Sequence, residues 1–201
     1  MKSNQKKPIN KDDVTVITGP RTRLSYAHLF EPHSFGKNDS PKYSSTLIIP
    51  KDDSITLDRI HTAVRAAYEA GKNKLRRSDG SIPSMKEITL PLHDGDEDRP
   101  NDPAYESAYY VNAKSIDPPA LFDQTGNKIT NPSDLYSGCY ARCKIQFYAY
   151  NYGDPGIAVG LLGLRKVRDG KALGGSTCTA DDFAGEDDEE EDVDDEEDFL
   201  S

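Results

Sequence analysis

At 201 residues with 35% hydrophobic content, the chain has room for one domain and holds more polar sequence than a single globular domain of that size needs. Its net charge of -10 is uneven: 14 of the 35 acids lie in residues 181–201, which hold no base, leaving 21 acids against 25 Lys and Arg, a net of +4, in residues 1–180. No run approaches the ~18 apolar residues of a membrane span, and Met1-Lys-Ser-Asn-Gln-Lys-Lys lacks an apolar continuation, which predicts no secretion signal.

Residues 1–12 are polar and lysine-bearing and read as a flexible arm. Val14 to Ile17 is a short β-branched run stopped by Gly19-Pro20, and Arg21 to Phe30 a second run ending before Glu31-Pro32; both predict strands. Arg21 and Arg23 share a face that either touches phosphate or is simply solvated. His33 to Pro41 carries Gly, Asn, Asp, Ser and Pro and reads as a turn, with Lys42 to Ile49 returning as the second strand of a hairpin.

From Ser54 to Arg77 the period becomes helical. Leu57, Ile60, Val64 and Ala67 form an apolar stripe, while Asp58, Arg59, Arg65, Glu69 and Lys72 lie off it. Ser54 or Thr56 is the expected cap and Gly71 weakens the end. The basic exit Lys72-Asn-Lys-Leu-Arg-Arg77 either guides nucleic acid or complements the helix dipole. Residues 78–103 read as a long excursion with one short strand at Ile88 to Leu92. Its acids, Asp94 to Asp98, are the one place where a Mg²⁺ or Ca²⁺ site could start, although their spacing fits no calcium loop and a solvated loop is the plainer reading.

Tyr109 to Ile116 alternates, with Tyr110, Asn112 and Lys114 on one face. Pro118 to Asp123 and Lys128 to Thr130 flank a turn and predict a small hairpin or arm. The dominant element is Tyr136 to Tyr152. Cys139, Ala141, Cys143, Ile145, Phe147 and Ala149 fall on its apolar face; Tyr140, Arg142, Lys144, Gln146, Tyr148, Tyr150 and Tyr152 fall on the other. Cys139 and Cys143, four apart on one strand face, read as buried thiols of a reducing compartment. Cys178 reads as exposed and incidental. Gly153-Asp-Pro-Gly156 predicts a tight turn into Ile157 to Val167, where Gly160 and Gly163 permit a sharp bend.

These pieces predict a mostly-β fold: an OB-fold-like small barrel over 13–173 with one amphipathic helix and long loop excursions. A linker and disordered acidic tail follow over 174–201. Four phenol rings beside two cations on one strand face suit base stacking and phosphate neutralisation, although strand propensity alone also favours tyrosine. The predicted binding residues are Tyr140, Arg142, Lys144, Tyr148, Tyr150 and Tyr152, with Tyr110 and Lys114 from the neighbouring face. The charge split fits a nucleic-acid-binding body with an acidic interaction tail, or with a tail that only solubilises.

Tyr136-Ser-Gly-Cys-Tyr-Ala-Arg, Phe147-Tyr-Ala-Tyr-Asn, Gly156-Ile-Ala, Gly160-Leu, Lys166-Val-Arg-Asp-Gly, Leu173-Gly-Gly and Asp181-Asp-Phe183 together resemble a bacteriophage-encoded single-stranded-DNA-binding protein family. The resemblance is dense over 136–183 and thinner over Arg23 to Pro32 and Tyr110 to Lys114. It implies an OB-fold similar to that of podovirus single-stranded-DNA-binding proteins, acting in phage replication and recombination without catalysis or cofactor, in the cytoplasm of the infected host. It also implies that the tail, through Asp194, Asp195, Glu196, Glu197, Asp198 and Phe199, contacts replication proteins such as a polymerase, helicase or primase. In this chain Leu200 and Ser201 follow Phe199. A flexible polyanion tethered beside a cationic groove should compete with DNA for it. The alternatives are an acidic interaction or DNA-mimic protein acting through its tail, an RNA-binding OB protein, and a metal-dependent nuclease using Asp94 to Asp98.

Overall fold

The computed structural model describes residues 10–34, 36 and 39–174; the expected arm before Asn10, Cys178, and the tail with Asp194 to Phe199 lie outside the described residues. Strands β1 (Thr15–Ile17), β2 (Arg23–His33) and β3 (Lys42–Pro50) precede helix α1 (Ser54–Gly71). Then come β4 (His93–Asp94), the single-turn α2 (Gly95–Asp98), β5 (Ala108–Ser115), β6 (Ala120–Phe122), β7 (Tyr140–Tyr152) and β8 (Asp154–Arg168).

β2 pairs antiparallel with β3, and β3 with β5; β5 runs parallel to β8, β8 antiparallel to β7, and β7 returns to β2 through Arg23 and Tyr140. Five strands thereby close on themselves as an OB-type barrel. β1 extends the sheet beside β7, and β6 extends it beside β8. The alternation of β7 decides what fills the barrel. Ala141, Cys143, Ile145, Phe147 and Ala149 are buried and meet Leu24, Leu47, Val111, Ile157, Val159 and Leu161. Burying a side chain the size of Ile145 or Phe147 contributes about 1.5–3 kcal/mol. Cys139 and Cys143 are unpaired thiols in this core, and burial pushes both upward from the ordinary thiol range.

α1 buries the expected stripe, Leu57, Ile60, Val64 and Ala67, and packs on β7 and β1. Its cap is Asp53, one residue before the expected pair. The Asp53 carboxylate accepts from the Thr56 backbone N–H at 3.2 Å and from Thr56 Oγ1 at 2.8 Å, so Thr56 serves the cap as a donor. The helix ends at Gly71, whose backbone lies against Ala149 of β7, where a Cβ would collide with the Ala149 methyl. The basic exit is engaged locally: Lys72 pairs with Glu69 at 2.7 Å, Arg76 donates to the Gly80 carbonyl at 2.6 Å, and Arg77 reaches Glu87 at 3.3 Å.

Three expectations are corrected. Val14 closes a 3-10 turn, Lys11–Val14, capped by Asn10, and the first strand begins at Thr15. Ile88 to Leu92 is not a strand: Thr89 alone makes a bridge, to Gly156, and the excursion's strand is His93–Asp94. The turn into β8 is shorter than Gly153 to Gly156, because Gly153 bends at φ +81 and Asp154 already pairs with Tyr152. The hairpins predicted at β2–β3 and around Gln124 to Asn127 are present.

Candidate nucleic-acid interface

Registration of β5, β8 and β7 builds the first groove. Lys114 lies across from Gly160, which lies across from Gln146; Ala158 lies across from Tyr148, and Gly156 across from Tyr150. β8 thus offers only Gly156, Ala158 and Gly160 to this face, a low floor between the longer side chains of β5 and β7. The resulting groove, about 670 Å³, is lined by Asn112 and Lys114 on one side and Tyr148 and Tyr150 on the other, with Leu90 and His93 at its rim. Tyr148 is half exposed, 47%, and stands beside Gly160: a Cβ there would sit 3.6 Å from the Tyr148 ring. Tyr150 lies over Gly156, where a Cβ would come within 2.6 Å of the phenol oxygen and 2.8 Å of the Thr89 carbonyl. Glycine at 156 is what lets that ring lie down.

A second trough follows along the same strands. β8 carries one extra residue, Leu162, between the pairs Lys144–Gly163 and Ile145–Leu161. The bulge shifts the alternation so that Leu162 and Arg165 are exposed, and Arg165 lies directly across from Arg142. The cavity there, about 540 Å³, is lined by Arg142, Lys144 and Arg165 together with Ile17, Phe122 and Leu162, and by no acid among the described residues. Like charges placed directly opposite destabilise a sheet. Two facing arginines beside a lysine are therefore an arrangement that an external polyanion would relieve. From Arg142 to Tyr150 the outer face of β7 runs roughly 26 Å.

Five of the eight expected body residues meet in these two cavities: Lys114, Tyr148 and Tyr150 in the first, Arg142 and Lys144 in the second. The other three stand elsewhere. Tyr110 is buried, with its ring stacked on His93 at 4.9 Å, edge-on to Tyr105 at 5.3 Å, and its hydroxyl donating to Asp98 at 3.0 Å. Tyr140 is covered by the Arg168 guanidinium, 3.5 Å from the ring centroid, and crowded by Gly170. Tyr152 is 94% exposed at the β7–β8 tip and lines neither cavity. Arg21 and Arg23 are also committed: Arg21 pairs with Asp52 at 2.9 Å, and Arg23 donates to the carbonyls of Gly138 at 3.2 Å and Lys171 at 2.7 Å.

The acids of the excursion hold structure together. Lys51 joins Asp94 and Asp96 at 2.7 and 2.8 Å, and these contacts raise the lysine above its ordinary range and hold the Asp96 carboxyl below its own. Among the described residues no group of three or more His, Cys, Asp or Glu is placed to hold a metal ion.

Three residues absent from the sequence expectations stand out, Tyr26, Arg99 and Arg165. Tyr26 has φ +47 in the middle of β2, a left-handed conformation costing about 1–2 kcal/mol for an L-residue. Its ring is half exposed, and the Arg99 guanidinium lies 5.3 Å from its centroid, 4.5 Å from that of Tyr105 and 5.3 Å from that of Tyr110. Partial burial works against the charge of Arg99, yet the surrounding tyrosines hold it above its ordinary value. Nothing in the local sequence marks Arg99, which follows an acidic turn and precedes Pro100. Arg165 was equally hidden, because its outward position depends on the bulge at Leu162.

Residues 14–196 match the profile of a protein family described as the Enterobacter phage Enc34 single-stranded-DNA-binding protein. A protein of Acyrthosiphon pisum secondary endosymbiont phage 1, putative protein p50, is 26% identical over 165 residues, covering 80% of this chain and 88% of its own. Among solved structures, the single-stranded DNA-binding protein of bacteriophage Enc34 in complex with single-stranded DNA superposes with a TM-score of 0.63 at 24% identity, over 80% of this chain and 88% of that one. The bacteriophage T7 single-stranded DNA-binding protein gp2.5 gives 0.57 at 16% identity, over 82% and 97%. The fold is thus shared with both. No helix among the described residues is long and apolar enough to cross a membrane.

Proposed function

The chain belongs to the Enc34 phage single-stranded-DNA-binding protein family, and from that premise we propose that it holds the strand along the outer face of β7 and β8. It is a phage single-stranded-DNA-binding protein and not an enzyme. Bases stack on Tyr148 and Tyr150 above the small-residue floor of β8. Phosphates pass Lys114 and then Arg142, Lys144 and Arg165. The observation that carries this reading is the register of Gly156, Ala158 and Gly160 between Lys114 and the two tyrosines, which leaves room for a base where a larger side chain would fill it.

Stacking contributes on the order of 1–3 kcal/mol per base and accepts any base, so sequence preference should be slight. Four phosphate contacts would give a slope of log affinity against log salt near -3, at ~0.7 per contact on a single strand. The 14 carboxylates of residues 181–201 compete with DNA for the cationic face, and Asp194 to Phe199 recruit a replicative polymerase, helicase or primase once displaced. The setting is phage replication and recombination in the cytoplasm of the infected bacterium.

With 11 tyrosines and no tryptophan, intrinsic emission reports on the stacked rings. Titration with oligo-dT should give saturable quenching that weakens with salt and is lost in the Tyr148→Ala, Tyr150→Ala double variant. Quenching that survives in the double variant rejects the stacking assignment. Truncation after Ala180 should tighten binding at low salt; an unchanged affinity rejects competition by the tail.

A further inference from the structure

Lys114 and Asn112 belong to two cavities. Besides the tyrosine groove, they line a separate space of about 390 Å³ shared with Tyr26, Ser44, Thr46 and Arg99. We propose that this space is a nucleotide subsite. The strand leaving the tyrosine groove crosses β5 and β3, and one nucleotide is held with its base against Tyr26 and its phosphate between Arg99 and Lys114. The proposal rests on the reading of the groove given above.

Four independent features converge there. Arg99 makes no ion pair with a carboxylate among the described residues; rings surround it, and its Nη1 is 3.4 Å from the Tyr26 hydroxyl oxygen. A partly desolvated guanidinium with open donors suits a phosphate. Ser44, only 4% exposed, has a hydroxyl with no hydrogen-bond partner among the described residues, a deficit that a ligand oxygen in this cavity would fill. The strained backbone at Tyr26 falls within the irregularity of the β2–β3 pairing between Ser25 and His28, and such strain collects where a side chain must be aimed. No acid lines the cavity among the described residues, and Asn112, whose carbonyl oxygen accepts from Thr46 Oγ1 at 2.7 Å, has its side-chain amide N–H groups available for a base edge or sugar.

Tyr26→Gly is the cleanest test, because glycine adopts the left-handed backbone without steric cost while the ring is removed. Full-length protein is titrated with fluorescein-labelled oligo-dT of graded length, from about 4 to about 16 nucleotides, the range of footprints for one OB-fold. Wild-type affinity should step up once the oligonucleotide is long enough to reach from the groove into the cavity. Tyr26→Gly should lose that step, binding long oligonucleotides ~5- to 150-fold more weakly while matching wild type on the shortest that bind. Arg99→Gln should lower the steepness of the salt slope by ~0.7, a change that lost packing alone would not produce. If Tyr26→Gly binds every length as wild type does while Tyr148→Ala, Tyr150→Ala is defective, the subsite is wrong and the groove stands. Equal weakening at all lengths with a lowered melting temperature also overturns the subsite, leaving Tyr26 a structural role. If neither variant affects binding, the groove reading falls as well.

Discussion

Gly160→Val separates folding from binding at the centre of the groove. Gly160 sits in β8 with ordinary strand backbone, and an added Cβ would meet the Gln146 carbonyl oxygen and the Tyr148 ring carbon, each at 3.6 Å. Both are ordinary van der Waals distances, so nothing must move. Glycine inside a strand costs about 0.5–1 kcal/mol relative to alanine. Valine also suits a strand, so the variant should be as stable as wild type or slightly more so. Its two methyls, however, fill the floor between Lys114 and Tyr148, where the base is expected. Loss of one stacked base, about 1–3 kcal/mol, lowers affinity ~5- to 150-fold. Circular-dichroism melting and anisotropy titration with labelled oligo-dT read the two effects separately. A variant that melts at or above the wild-type temperature yet binds within twofold of wild type would refute the path over Gly160. Gly156 would serve poorly as the test site, because a Cβ there meets the Thr89 carbonyl at 2.8 Å and perturbs the fold as well.

Arg165→Glu removes one predicted phosphate contact and relieves the opposition with Arg142, so affinity should fall at low salt, the salt slope should flatten by at least ~0.7, and the melting temperature should not drop. Asp96 has its carboxyl held below the ordinary value of 3.8, first by Lys51 and then by the Ser107 backbone N–H. Its stabilising contribution is therefore complete above pH 3.8 and lost as pH falls through the lowered value, so Asp96→Asn should flatten the acid limb of a melting-temperature profile below pH 4. Gly71→Ala drives a methyl into that of Ala149 and should destabilise by about 1–3 kcal/mol in urea unfolding, with recovery in the Gly71→Ala, Ala149→Gly double variant.

The barrel was legible where burial writes a simple period. Cys143, Ile145 and Phe147 alternate because one face of β7 is core, and Leu57, Ile60 and Val64 recur because one face of α1 packs on that strand. What the period cannot carry is a change of parity. The extra residue at Leu162 turns Arg165 outward opposite Arg142, and no local composition announces it. Cover supplied from a distance is equally silent. Tyr110 continues the face of Asn112 and Lys114 in alternation, yet His93 and Arg99 from the preceding excursion, and Tyr105 just after it, close over it. Tyr140 belongs to the tyrosine face by position and is removed from it by Arg168, its partner across the hairpin. The expected residues that line the two cavities, Lys114, Arg142, Lys144, Tyr148 and Tyr150, are those whose outward direction follows from their own strand.

Photo-crosslinking tests the central claim most directly. Oligo-dT bearing 5-iodouracil is bound at low salt, irradiated and digested with protease, and the modified residues are identified by mass spectrometry. Stacking in the β5–β8–β7 groove predicts adducts on Tyr148 and Tyr150, of which the Tyr148 adduct is lost in Gly160→Val. Adducts confined to Tyr152 or to α1, with Tyr148 and Tyr150 unmodified, would contradict it.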